Sequence, residues 1–161
     1  MKKAELLTTC FGLGKLPFCP GTWGSLPPVV MYQVLGYLWP AANPYVMVFF
    51  LVAGSWVCIR YAPAVIESTG KKDPGMVVAD EVAGQAVTML IIALLWPENI
   101  CNSMALGFAL FRMFDIFKPW PCKRLEKLPA GAGILADDLM AGVYGGIVAS
   151  IVIHYIPSCF G

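Results

Sequence analysis

The chain has 161 residues, of which 58% are hydrophobic and 13% are charged, and its formal net charge is +1. This length predicts a single domain over residues 1–161, and so apolar a composition favours a membrane protein. Because eleven basic residues nearly balance ten acidic ones and no separate basic arm is present, the sequence excludes a typical nucleic-acid-binding protein.

Residues 10–25 read CFGLGKLPFCPGTWGS, and this density of glycine and proline predicts a specific loop instead of a regular helix. Its backbone N–H groups, together with Lys15, Thr22 and Ser25, could cradle an anion. The other interpretation is an ordinary helix-entry turn with Ser25 as the N-cap and Pro27 in the first turn. The loop by itself favours that turn, because it lacks the spacing of a nucleotide-binding P-loop.

Five apolar segments follow the loop and predict an all-α fold. They lie near residues 28–38, 45–61, 82–96, 100–117 and 139–156. The first is short for a bilayer crossing, which needs about 20 apolar residues. We expect a compact helical bundle, a polytopic membrane protein with about five apolar helices and a polar site at one membrane face.

The basic residues fall on one side of such a bundle. If the five segments are antiparallel helices, the loops that contain Lys15, Lys71 and Lys123 lie on the same side of the bundle. The charged residue on the opposite side is Glu98. Cytoplasmic loops of membrane proteins are enriched in lysine and arginine. The polar side is therefore expected to face the cytoplasm.

Two acidic pairs stand where polar loops give way to apolar runs, and each is followed by a glycine one helical turn later. The pairs supply four carboxylates: Asp80, Glu81, Asp137 and Asp138. Helix capping explains one acid at a helix N-terminus, where free N–H groups favour negative charge, but explains two adjacent acids less well. The following glycines, Gly84 and Gly142, allow helices to approach closely. We expect both pairs to converge on one or two Mg²⁺ ions, which prefer oxygen ligands.

Arg112 and Asp115 interrupt an otherwise apolar helical pattern. They are three residues apart and share a helix face, before Pro119 and Pro121 end the helix. An unpaired charge in such a place is expensive, so two interpretations stay open. One is an internal Arg112–Asp115 ion pair. The other is a substrate role, in which the planar fork of Arg112 and the ammonium group of Lys118 bind phosphate.

The cysteines are scattered singly, which favours free thiols over a disulfide framework. They are Cys10, Cys19, Cys58, Cys101, Cys122 and Cys159. None is followed by arginine at the spacing of a cysteine phosphatase, and His154 is the single histidine. A zinc site and a thiol nucleophile are therefore disfavoured.

Four blocks occur in a fixed order: PGTWGS, DEVAGQ, FRMFDIFKPWPCKRLE and GAGILADDLMAG. From about residue 12 to about residue 146 the chain resembles the phosphatidylglycerophosphatase A family of bacterial membranes. The resemblance implies a magnesium-dependent phosphoric monoester hydrolase of the inner membrane. Such an enzyme removes the terminal phosphate of phosphatidylglycerophosphate, a membrane lipid, and gives phosphatidylglycerol.

The resemblance also implies roles for individual residues. The family's acidic positions fall on Asp80, Glu81, Asp137 and Asp138, and its central block on Arg112, Asp115 and Lys118. We hypothesise that the carboxylates hold Mg²⁺ and activate water, while the basic side chains neutralise charge on the phosphate. Asp115 or Asp80 as an aspartyl nucleophile stays an open alternative.

Two other classes of protein stay open. One is a small ion-coupled transporter, although transporter carboxylates usually lie near the middle of the membrane. The other is a non-enzymatic membrane subunit that uses the charged stretch to dock a partner. The sequence leaves open the oligomeric state and whether the first apolar segment crosses fully.

Overall fold

The computed structural model describes residues 3–97, 100–129 and 131–156, leaving aside the side chains of residues 100–102. Within these ranges the chain is all-helical and has no strand, which confirms the predicted fold class. The helices are α1 (Lys3–Thr8), α2 (Pro20–Leu38), α3 (Asn43–Thr69), α4 (Ala79–Leu95), α5 (Ile100–Phe117), α6 (Cys122–Leu125) and α7 (Gly131–Tyr155). Short 3₁₀ turns lie at Leu13–Lys15 and Pro40–Ala42.

Two stretches in the described part of the chain are long and apolar enough to cross a membrane, Pro40–Thr69 and Gly131–Tyr155. The expectation of about five apolar membrane helices is therefore not confirmed. α4 illustrates the reason, since its 17 residues extend about 26 Å against a hydrocarbon core of about 30 Å. More than half of its residues are buried among the other helices, so they need not face lipid.

α4 lies at the centre of the bundle and packs against α2, α3, α5 and α7. At one end of the bundle, Met47 of α3, Met89 of α4 and Ile153 of α7 share an apolar core. At the other end, a second core joins Cys58 of α3, Ala83 of α4 and Leu135 of α7. The second core includes Ala79 and Ala83 of α4, so it lies level with the polar residues Asp80 and Glu81 described below.

The start of α2 differs from the prediction. α2 begins at Pro20, so residues 20–25 are helical, and the predicted loop is confirmed for residues 10–19 alone. Ser25 is not the N-cap, because Cys19 takes that position with a left-handed φ of 50°. Proline suits the first turn of a helix, where its missing N–H would have no partner in any case. The glycine and proline content therefore marked a helix start as well as a loop.

The start of α7 was also predicted wrongly. Asp137 and Asp138 were expected where the helix begins, but α7 already starts at Gly131. Both aspartates therefore lie in its second turn and are buried, at 3% and 5% exposure. Capping of a helix N-terminus consequently does not account for them, since its free N–H groups lie in the first turn.

Free thiols are confirmed for the described cysteines Cys10, Cys19, Cys58 and Cys122. The predicted thiols of Cys101 and Cys159, and the turn that contains Glu98, lie outside the residues whose side chains are described.

Candidate active site

α4 and α7 approach each other closely enough for their main chains to touch. A Cβ atom on Gly84 would lie 2.6 Å from the carbonyl oxygen of Asp138, and a Cβ atom on Gly142 would collide with the carbonyl oxygen of Gly84. Any side chain at either glycine would push the helices apart. The predicted role of these glycines is thereby confirmed, and their contact brings the two acidic pairs into one place.

Asp80, Glu81 and Asp138 form the acidic cluster. Each offers a carboxylate oxygen, and these three atoms lie within 4.8 Å of one another. Asp80 and Asp138 are buried and Glu81 is half-buried. The predicted convergence of the first acidic pair with the second is therefore confirmed for three of the four carboxylates.

The acidic cluster fits a cation. Among the described atoms, one oxygen of each carboxylate is buried and lacks a hydrogen-bond partner: Asp80 Oδ1, Glu81 Oε2 and Asp138 Oδ2. Buried charges in proteins are normally paired or coordinate metals, and several like charges close together are unfavourable by themselves. Hard oxygen ligands of this kind suit Mg²⁺.

Asp137 turns toward a different partner. Its Oδ2 atom accepts a hydrogen bond from Lys118 Nζ at 2.6 Å, and Lys118 also lies 3.6 Å from Glu126 Oε2. Burial lowers the pKa of Lys118, but the hydrogen bond and the nearby negative charges outweigh that effect and raise it above its usual value. Lys118 therefore stays an ammonium ion beside the acidic cluster. The role of Asp137 as a metal ligand stays a prediction, resting on its buried, unpartnered Oδ1 atom.

Lys118 has an unusual backbone conformation, with a left-handed φ of 45° directly after α5. Glycine is the common residue at this position after a helix, because a side chain there is strained by roughly 1 kcal/mol or more. The strain is offset here by the contacts of the ammonium group with Asp137 and Glu126. Strained residues of this kind often lie at functional sites.

Arg112 and Asp115 form an ion pair of 2.7 Å between Nη1 and Oδ2, and both side chains are mostly buried. The internal ion pair, one of the two interpretations of the sequence, is therefore present. Arg112 still has a buried Nε atom without a hydrogen-bond partner among the described residues. The pair borders the acidic cluster, since the Arg112 guanidinium and the Glu81 carboxylate both lie against Gly21.

Gly21 is a site residue that the sequence interpretation missed. A Cβ atom there would lie 2.7 Å from Arg112 Nη1 and would collide with Glu81 Oε1. The first turn of α2 thus lies against both the acidic cluster and the arginine. The signal was present in the block PGTWGS, but the interpretation gave weight to its hydroxyl groups instead of its first glycine.

The three side chains predicted to bind an anion in the N-terminal loop have three different surroundings. Lys15 pairs with Glu5 of α1 at 2.5 Å. Ser25 is fully buried and donates a hydrogen bond of 2.8 Å to the carbonyl oxygen of Gly21, which supports a structural role at the start of α2. Thr22 is half-buried and follows Gly21 directly. Their contact with a substrate stays a prediction.

Comparison with known proteins shows similarity to one described family and to two proteins that carry its name. The sequence profile of the family described as phosphatidylglycerophosphatase A matches residues 6–153. A protein of that name from Escherichia coli K12 is 32% identical over 155 residues, covering 95% of this chain and 85% of its own. A protein of the same name from Haemophilus influenzae Rd is 32% identical over 159 residues, covering 94% and 90%.

A further relative comes from Bacteroides thetaiotaomicron and is 34% identical over 153 residues, covering 91% of both chains. Its name assigns it provisionally as a phosphatidylinositol-3-phosphatase. No solved structure matches the chain.

Proposed function

Because the chain belongs to the phosphatidylglycerophosphatase A family, we propose that it removes the terminal phosphate of phosphatidylglycerophosphate and gives phosphatidylglycerol. The observation that carries this proposal is the acidic cluster at one end of the bundle, with Arg112 and Lys118 beside it. Carboxylates for a hard cation, next to cations suited to phosphate, are what hydrolysis of a phosphomonoester needs.

Asp80, Glu81 and Asp138 would hold Mg²⁺, with Asp137 as the predicted fourth carboxylate. When bound, the ion supplies positive charge against the phosphoryl oxygens and lowers the pKa of bound water. The fit rests on the buried oxygens described above, because a cation would compensate charges that otherwise repel one another.

The basic side chains act on the substrate phosphate. Arg112 presents its guanidinium fork, oriented by the ion pair with Asp115, and Lys118 is held in place by Asp137. Water attacks the phosphorus atom, and the bond between phosphorus and the glycerol oxygen breaks. One proton of the water passes to the glycerol oxygen, so the products are inorganic phosphate and a lipid with a neutral hydroxyl group. Positive charge fixed in advance stabilises the charge that develops on the phosphoryl oxygens.

We place the site at the cytoplasmic face of the bacterial inner membrane, with five helices crossing as α2, α3, α4, α5 and α7. α3 supports a lipid contact, because Val52, Trp56 and Ile59 are each more than half exposed on a helix long enough to span. The acidic cluster lies in the first turn of α4 and the second turn of α7. A site at helix ends suits a substrate whose acyl chains stay in the bilayer while its phosphate protrudes.

Phosphate release from purified protein in detergent tests the proposal. The substrates are phosphatidylglycerophosphate and phosphatidylinositol 3-phosphate, each with Mg²⁺ or with a chelator. We expect faster release from phosphatidylglycerophosphate that stops when the metal is chelated. A preference for the inositol lipid would overturn the assigned substrate, and release from neither would favour a transporter or a docking subunit.

A further inference from the structure

An apolar groove of about 290 Å³ lies beside the candidate active site. Its roof is the turn after α1, including Cys10 and Phe11, and its floor is the middle of α3, including Phe50, Ala53 and Val57. Ala79 of α4, which directly precedes Asp80 in the chain, also lines the groove. Apart from main-chain atoms, the groove is formed by apolar side chains and one thiol.

The groove lies next to the acidic cluster. Ala79 and Val82, which line it, immediately flank Asp80 and Glu81 in the first turn of α4. One helical turn rises about 5 Å, so the lining of the groove and the carboxylates lie within about that distance of each other along α4.

The groove leads away from the polar end of the bundle. Gly54 lies level with Ala79, since a Cβ atom there would be 2.8 Å from the carbonyl oxygen of Ala79. From Val57 to Phe49 the floor follows eight residues of α3, or about 12 Å of helix. With the site at the cytoplasmic face, as proposed above, this direction runs along α3 toward the hydrocarbon layer.

We propose that the groove holds one acyl chain of the phospholipid substrate while its phosphate lies at the acidic cluster. This inference rests on the proposed function and makes it more specific, because the enzyme would then select a lipid phosphomonoester over a water-soluble one. A chain in a groove without charged side chains is stabilised by the removal of its methylene groups from water.

Two tryptophan substitutions on adjacent residues of α3 test the groove. Ala53→Trp fills it, since Ala53 is half-buried and lines it, whereas Val52→Trp is the matched control at a side chain that is 61% exposed. The measured quantity is kcat/KM for dioleoyl phosphatidylglycerophosphate divided by kcat/KM for its deacylated headgroup. We expect Ala53→Trp to lower this ratio roughly ten-fold or more, because each buried methylene contributes a several-fold factor. Val52→Trp should leave the ratio within about two-fold of wild type, the usual effect of an exposed substitution.

A phosphatidylglycerophosphate with a diazirine on one acyl chain provides a second measurement that needs no turnover. We expect crosslinks to both residues 7–13 and residues 49–57 in the wild type and in Val52→Trp, and their loss in Ala53→Trp. This measurement decides the case where Ala53→Trp is inactive toward both substrates.

An unchanged kcat/KM ratio in Ala53→Trp would overturn the inference, as would equal crosslinking by a phosphatidylcholine probe, which would make the occupant a bilayer lipid. A change in oligomeric state of Ala53→Trp would assign the groove to a second copy of the chain and contradict the inference too. If the wild type releases phosphate from neither substrate, the proposed function fails. The crosslinks then test by themselves whether the groove binds an acyl chain.

Discussion

Gly142 of α7 packs directly against the main-chain carbonyl of Gly84 in α4, with no room for a Cβ atom between them. Each glycine lies one helical turn beyond an acidic pair, so the contact fixes how far apart the carboxylates can be. The acidic cluster is thus a consequence of close helix packing. Small residues at helix contacts are the usual means of bringing helices this close in membrane proteins.

Gly142→Val should separate α4 from α7 and reduce phosphate release at least ten-fold, because Asp138 would move away from Asp80. Overpacking of this kind also lowers the free energy of unfolding by about 1–3 kcal/mol. Gly75→Ala is the control, since a Cβ atom on Gly75 would meet nothing within 4 Å. Phosphate release and thermal unfolding in detergent measure both effects, and wild-type activity in Gly142→Val would contradict the packing argument.

Gly21→Ala should impair phosphate release while the protein stays folded. The added methyl group would displace Glu81 and the Arg112 guanidinium, which lie against Gly21. We expect a fall in kcat of about ten-fold or more, because catalysis tolerates displacements of 1 Å poorly. Circular dichroism checks that the helices persist. Full activity in Gly21→Ala would show that the first turn of α2 does not shape the site.

Asp138→Asn and Asp137→Asn should have different effects although the residues are adjacent. Asp138 belongs to the acidic cluster, so Asp138→Asn should weaken Mn²⁺ binding roughly 10- to 100-fold or more. Loss of a residue that only supports a metal ligand typically costs this much, and loss of the ligand itself should cost no less. Asp137→Asn should mainly release Lys118 and raise KM, and it should weaken Mn²⁺ binding less, because one carboxylate oxygen of Asp137 is bonded to Lys118. Glu67→Gln, at an exposed acid near the end of α3, serves as the control. Mn²⁺ binding by electron paramagnetic resonance separates the two effects, and an equal loss would make Asp137 as strong a ligand as Asp138.

Lys118 and Asp137 should behave as one unit. Lys118→Met leaves Asp137 buried without its hydrogen-bond partner, whereas Asp137→Asn leaves the ammonium group without its nearest carboxylate. Substitutions that break one shared contact are not additive, and coupling energies of about 0.5–3 kcal/mol are usual. A double-mutant cycle on the free energy of unfolding measures the coupling. Additive effects would mean that the ion pair adds nothing to stability.

The sequence predicted the close packing of helices at Gly84 and Gly142, because each glycine follows an acidic pair by one helical turn. It misplaced the starts of α2 and α7, since glycine and proline indicate helix starts and loops equally well. It also missed Gly21, whose importance lies in contacts with Glu81 and Arg112, each at least 60 residues away along the chain. Likewise, the pairing of Asp137 with Lys118 joins two residues 19 positions apart, which no local pattern of charges indicates.

The most direct test of the metal-dependent site is phosphate release by the wild type and by Asp80→Asn, measured in phosphatidylglycerophosphate vesicles during a Mg²⁺ titration after chelation. Asp80 lies in the acidic cluster and is 4% exposed. We predict that the chelated wild type is inactive, that Mg²⁺ restores its activity in a saturable manner, and that Asp80→Asn stays inactive at every Mg²⁺ concentration while remaining folded. Full turnover by the chelated wild type, or by Asp80→Asn, would contradict the account.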